Sequence, residues 1–207
     1  LPYTWILMII GTLALTGFPF LAGFYSKETI LELAYLKNSF IGNLAVIVGI
    51  FTAFLTAIYS WRLVFKTFHG DYLNSSIDIK KIHDSPYVML IPLLVLAIGS
   101  IFTGIAFKNL FVGSSSITFW GNSIFSLHEE YYNHHIPLWL LVLTPTLVII
   151  SIPMSFYLFI KRKIFLKEYV EKFKPLYNFL LNKWYIDEIY EYLLVNPTKK
   201  LGLFFWK

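Results

Sequence analysis

Few residues in this chain combine a reactive type with an unusual placement, and Lys27 is foremost among them. It ends an uncharged apolar stretch that runs from Thr4 to Ser26. Apolar character then resumes through Ile30, Leu31, Leu33, Ala34, Tyr35 and Leu36, past Glu28 and Glu32. Unbroken, residues 1–36 would form a helix roughly 50 Å long, against a hydrocarbon core of about 30 Å. Gly17-Phe18-Pro19 interrupts it: Pro19 lacks a backbone donor and clashes with the preceding turn, while Gly17 and Gly23 loosen the chain on either side. Interrupted helices at membrane depth survive where protein or a polar cavity surrounds the freed backbone groups. Transporters place ion-handling groups at such breaks.

Two readings of Lys27 stand beside each other. One is a helix-end lysine whose ammonium snorkels to the lipid headgroups. The other is an intramembrane ammonium in a proton path. Three features favour the second. The apolar run continues past it, the break offers a polar seat, and no acid lies three or four residues away, those positions being Gly23, Phe24, Ile30 and Leu31. Desolvation disfavours the charged form of an amine and a nearby carboxylate favours it, so an amine balanced between the two exchanges a proton near neutral pH.

Thr52, Thr56 and Ser60 recur every four residues on the next apolar segment, with Gly49 and Ala53 near the same face. Small and hydroxylated residues are common glue between membrane helices; a polar channel wall is the sharper alternative. The histidines (His69, His83, His128, His134, His135) all fall in connections or at span ends, where they cannot ligate a membrane-embedded haem. His128, His134 and His135 beside Glu129 and Glu130 match no strong metal template. The absence of cysteine excludes disulfides, iron–sulfur ligation and thiol catalysis. Phosphate loops, nucleophile elbows and dinucleotide fingerprints are absent.

The elements that must position these groups are membrane helices. The chain is 57% apolar and 14% charged, where a soluble domain carries about 25% charged residues. Uncharged segments long enough to span are Thr4–Ser26, Asn38–Trp61, Ser85–Phe107 and Ile136–Ile160, and Asn109–Leu127, rich in Ser, Gly, Asn and Thr, reads as a loop. The expected fold is therefore all-α and polytopic. It comprises a discontinuous transmembrane helix over 1–36, spans at 38–65, 85–107 and 136–160, an outer-side loop at 108–135, and an amphipathic interfacial region at 164–207. Arg62, Lys66, Lys80 and Lys81, with Lys161, Arg162, Lys163 and Lys167, put the connection 62–84 and the tail on the cytoplasmic or matrix side. Asp71, Asp78 and Asp84 reduce that connection's net charge, but the rule counts basic residues. The net charge of +5 thus reads as membrane orientation, with no basic, aromatic-interleaved patch for nucleic acid. In the tail, apolar residues at 173, 176, 177, 180, 181 and 184 fall at helical spacing opposite Lys172, Lys174, Asn178, Asn182 and Lys183. The phase shifts near Tyr185, and Asn196-Pro197 reads as a turn. Such a tail can anchor at the membrane surface or act mechanically.

The run from Gly11 through Gly17-Phe18-Pro19 to Lys27-Glu28 closely resembles the discontinuous helix of the large antiporter-like subunits of respiratory complex I, the NADH dehydrogenase subunit 5 family. The resemblance continues in Thr56–Arg62, His83–Met89, Phe119-Trp-Gly-Asn122 and Lys183–Glu188. The first motif is shared with Mrp-type cation/proton antiporters; the last two fit the complex I family better.

This resemblance implies a proton-translocating subunit of NADH:ubiquinone oxidoreductase, with Lys27 as the proton-transfer group on the outer half-channel. Glu28 would be a possible partner, standing where the family usually has aspartate. It implies no redox chemistry in this chain, with NADH, FMN, iron–sulfur clusters and ubiquinone held by other subunits. The implied partners are complex I membrane-arm subunits, a neighbouring antiporter-like subunit, a separate N-terminal part of the same subunit, and the bilayer. The tail resembles the start of a lateral helix on the matrix side, and the chain as a whole a C-terminal portion. The mitochondrial inner membrane is the expected location, a bacterial plasma membrane the alternative. An Mrp-type antiporter or a purely structural membrane-arm clamp are the competing readings.

Overall fold

The computed structural model describes residues 1–70, 82–113, 115–121, 123 and 136–206, and all regular structure among them is helical. Two compact units result, residues 1–161 and 162–207. The first contains α1 (Pro2–Thr16), α2 (Ala22–Leu36), α3 (Phe40–Phe68), α4 (Tyr87–Phe111), α5 (Ser116–Trp120) and α6 (Leu138–Phe156), the last continued by a π-turn over Tyr157–Lys161.

Local chemistry sets the break between α1 and α2. Gly17 adopts φ +83°, and a Schellman motif closes α1: Gly17 N–H donates to Ala14 O and Phe18 N–H to Leu13 O. Pro19 follows where the helix cannot resume, Phe20 sits at φ 70°, and Leu21 is extended before α2 begins. The first turn of α2 then crosses close to the end of α1. A Cβ at Gly23 would lie 1.9 Å from Ala14 O, so only glycine permits this approach.

Among the described residues, three helices are long and apolar enough to cross a membrane: Phe40–Phe68, Tyr87–Phe111 and Leu138–Lys161. The architecture is all-α and polytopic, with a broken helix. The uncharged run over residues 4–26, expected to be long enough to span, is divided instead between α1 and the first turns of α2. Pro92, Pro145 and Pro153 sit inside helices without ending them, as membrane helices tolerate when neighbours satisfy the freed backbone groups.

Helix α3 runs antiparallel to α1 and α2 in succession: Gly42 approaches Ala34, Gly49 approaches Leu31, and the His69 ring meets Trp5. Helix α4 runs parallel to the same pair, with Asp84 at Thr4, Gly104 at Ala22 and Lys108 over the Tyr25 ring. The contact between α3 and α6 is the most extensive. It is built from small or short side chains: Ala53, Ala57, Ser60 and Val64 against Thr144, Val148, Ser151 and Ser155, all buried. Where lipid is as apolar as leucine, such residues draw helices together by close packing. Large apolar side chains face outward instead, Phe40, Ile47 and Phe51 on α3 and Val95, Leu96 and Phe102 on α4 among them.

The expected loop over 109–127 is partly helical. Helix α4 continues to Phe111, and α5 folds back so that Trp120 Nε1 donates to Phe111 O at 3.0 Å. Rings of Phe111, Phe119 and Trp120 pack together and supply the apolar contact that composition concealed. Asn122 of the Phe119–Asn122 motif lies outside the described residues, as do Lys80, Lys81, Asp71, Asp78, Glu129 and Glu130.

The second unit contains α7 (Lys163–Lys172), α8 (Lys174–Leu181), a 3₁₀ turn (Lys183–Tyr185), α9 (Ile186–Tyr190), a π-turn (Glu191–Val195) and α10 (Asn196–Trp206). The phase shift in the apolar stripe near Tyr185 coincides with a kink, where Lys183, Trp184 and Tyr185 take φ values of 51°, 64° and 56°. The expected turn at Asn196-Pro197 is absent: Asn196 is helical, the π-turn runs directly into α10, and Pro197 sits within that continuous helical run, where the wider π-turn accommodates it.

Candidate functional site

The break organises the polar groups of the first unit. A helix ending at Thr16 leaves its last four carbonyls without intrahelical partners, and the Schellman motif satisfies those of Leu13 and Ala14. Lys27, half-buried in the second turn of α2, supplies the next donor: its Nζ donates to Leu15 O at 2.7 Å. An ammonium in this position meets a free carbonyl and the negative end of a helix dipole together. The Lys27 side chain also lies over the break itself, its Cδ 3.2 Å from where a Gly17 Cβ would stand. Leu31, one turn further along α2, packs on Gly49 of α3, so the Lys27 face of α2 is the face turned to α3.

Glu28 is adjacent to Lys27 in sequence but points elsewhere, as neighbours on a helix do. Its electrostatic neighbours are Glu32, one turn on, and Lys108 of α4, which also interacts with Glu32. The Lys108 ammonium sits 5.1 Å from the centroid of the Tyr25 ring. Lys27 and Glu28 form no ion pair among the described residues.

Thr52, Thr56 and Ser60 have different surroundings. The hydroxyls of Thr52 and Thr56 donate to the carbonyls of Val48 and Thr52, one turn back on their own helix, both at 2.7 Å. Thr52 is exposed, Thr56 intermediate and Ser60 buried. The candidate metal residues His128, His134, His135, Glu129 and Glu130 lie outside the described residues. Among the described residues no group of three potential ligands gathers.

One interaction gave no signal in the sequence. Asp84, just before α4, accepts hydrogen bonds from the Thr4 backbone N–H at 3.1 Å and the Thr4 hydroxyl at 2.8 Å. It thereby serves as an N-terminal cap for α1 from the far side of two connections. Desolvation pushes the Asp84 carboxyl up, but the hydrogen bonds from Thr4, with the Tyr3 N–H and the N-terminal charge, together hold the group below the ordinary aspartate range.

An all-α membrane bundle with a broken helix, and a lysine seated on the break, defines a polytopic membrane protein of the discontinuous-helix type. Along nearly all of its own length the chain matches NADH-ubiquinone oxidoreductase chain 5 sequences. It is 41% identical to that subunit of Phytophthora infestans over 98% of its own length and 31% of the relative's. It is 38% identical to that of Chondrus crispus, again over 98% of its length and 32% of the relative's. With that of Marchantia polymorpha it shares 47% identity over 63% of its length and 19% of the relative's. The chain thus spans at most about a third of the length of these curated relatives. No family model matches it.

Proposed function

We propose that this chain is a proton-translocating membrane segment of respiratory complex I, in which α1, the break and α2 form one discontinuous crossing and Lys27 carries the proton. The observation that carries the reading is the 2.7 Å hydrogen bond from Lys27 Nζ to Leu15 O. It holds a titratable head at the interruption, where a free carbonyl offers a seat that an exchanging ammonium can leave and regain. The succession of α1 and α2 along a single 29-residue α3 supports treating them as one crossing.

In this reading Glu28, with Glu32 and Lys108 beside it, forms the charged neighbourhood on the α4 side, and Thr52 and Thr56 lie along the α3 side, while Ser60 is taken up in the packing against α6. The resemblance to chain 5 subunits supports membrane-arm partners, a location in the mitochondrial inner membrane, and cofactors held by other subunits. Replacing Lys27 by Met keeps the volume and removes the exchangeable proton. The expected result in the assembled complex is a fall in coupled proton uptake of about a hundredfold, the lower end of what a positioned proton-transfer group contributes. Normal pumping with normal assembly would overturn the assignment.

A further inference from the structure

Four buried polar atoms in the first unit make no hydrogen bond to any described protein atom: Ser60 Oγ and Trp61 Nε1 on α3, and Thr144 Oγ1 and Ser155 Oγ on α6. Trp61 is 5% exposed and Ser155 0%. An indole N–H can only donate, and leaving it unpaired in an apolar interior carries its full desolvation penalty. Buried polar groups of this kind are met by ordered water, which typically takes about three such partners.

The placement of Ser60, Trp61 and Ser155 argues for a shared site, with Thr144 about three turns away along α6. Thr144, Ser151 and Ser155 fall on one face of α6, and Ser60 belongs to the small-residue face of α3 that packs on it. Trp61 stacks on Phe65, whose ring meets Phe156 of α6, the residue after Ser155. Ile152, between Ser151 and Ser155, packs on the same cluster, as do Ile9 and Leu13 of α1. Thr12 and Thr16 are buried on α1 but satisfied by their own helix, through Met8 O and Leu13 O. Beyond Trp61, toward His69, Val64 and Phe65 are buried without polar groups.

We propose that the contact between α1, α3 and α6 is a binding site for internal water, anchored by Trp61 Nε1, Ser60 Oγ and Ser155 Oγ, with a further position at Thr144, and closed at one end by Val64 and Phe65. The site stands on unpaired atoms and packing, so it does not depend on the role given to Lys27. It places mobile protons and lone pairs inside the bundle, at the level where α1 approaches its break.

The test is a high-resolution map of the intact membrane assembly, for the native chain and for Trp61→Phe, Ser60→Ala and Ser155→Ala variants. The expected result is a water peak about 2.6–3.2 Å from Trp61 Nε1 and at least one serine hydroxyl. That peak should disappear in Trp61→Phe, or shift when a serine is removed. A native map in which Trp61 donates to a protein carbonyl and no peak stands between these groups would overturn the proposal. So would a peak that survives all the substitutions unchanged. If Trp61→Phe fails to assemble, the serine variants, which remove one atom each, decide the question. Lys27→Met separates the two ideas, since it should lower coupled proton uptake and leave the water peak in place.

Discussion

Lys27 Nζ and Leu15 O, twelve residues apart in sequence, are joined at 2.7 Å across the break, and the helix end that supplies the carbonyl is closed by a Schellman motif. The motif satisfies Leu13 O and Ala14 O and leaves Leu15 O to the lysine. The seat of the ammonium is therefore a by-product of how Gly17 ends α1.

The closeness of α1 and α2 depends on Gly23. Replacing Gly23 by Ala puts a methyl group 1.9 Å from Ala14 O, against backbone that cannot swing aside. Overpacking of this kind costs about 1–3 kcal/mol or more. Gly23→Ala should lower the thermal stability of the assembled protein or its yield. Gly11→Ala, which meets nothing within 4 Å, should leave both unchanged. Gly17→Ala should be intermediate, since a side chain at φ +83° costs about 1–2 kcal/mol. Equal behaviour of the three variants would contradict the account.

Acid should weaken the Asp84 cap. The native carboxyl titrates below its ordinary value near 3.8, so its contribution is fully present above that value and fades as pH falls through the lower, native one. Thr4→Val removes the hydroxyl donor and leaves the backbone donor. It should move the Asp84 midpoint upward, back toward the ordinary value, in an infrared titration of the carboxyl stretch. An unmoved midpoint would mean that the hydroxyl does not hold the group.

In the tail unit, Lys183 Nζ and Asp187 Oδ2 form a 2.9 Å pair with side chains 77% and 69% exposed. The hydrogen bond and charge of Asp187 raise the Lys183 ammonium above its ordinary value, yet exposed pairs of this kind contribute little to stability. Asp187→Asn should leave the tail's helicity unchanged by circular dichroism. The backbone matters more here. Lys183→Gly, at φ 51°, should stabilise the kink by relieving left-handed strain of about 1–2 kcal/mol. A loss of helicity in Lys183→Gly would show that the pair, and not the backbone, sets the bend.

Much of this arrangement was legible in the residues. Gly17-Phe18-Pro19, inside an apolar stretch too long for one straight span, announces an interruption, whereas Pro92, Pro145 and Pro153, without a glycine two residues ahead, leave their helices whole. The apolar stripe of the tail likewise marks its own kink at Tyr185. The partner of Lys27 was not legible, since it is a main-chain oxygen freed by capping geometry and carries no side-chain signature. Asp84 and Thr4 lie 80 residues apart, beyond the reach of any local pattern. Pro197 misled because the π-turn over Glu191–Val195 carries the helix through it, and no local residue pattern announces that turn. Thr52, Thr56 and Ser60 share a spacing, but two of the hydroxyls turn back onto their own helix and only Ser60 is buried, a difference set by α6 and invisible along α3 alone.

The most direct test of the central claim distinguishes an exchanging amine from a fixed positive charge. Arginine at position 27 keeps a cation and a donor for Leu15 O, but it does not release its proton in a protein. Protons translocated per NADH oxidised should fall in the assembled complex carrying Lys27→Arg, as far as with Lys27→Met. A native ratio with arginine in place would contradict the account, leaving Lys27 as a structural plug for the end of α1.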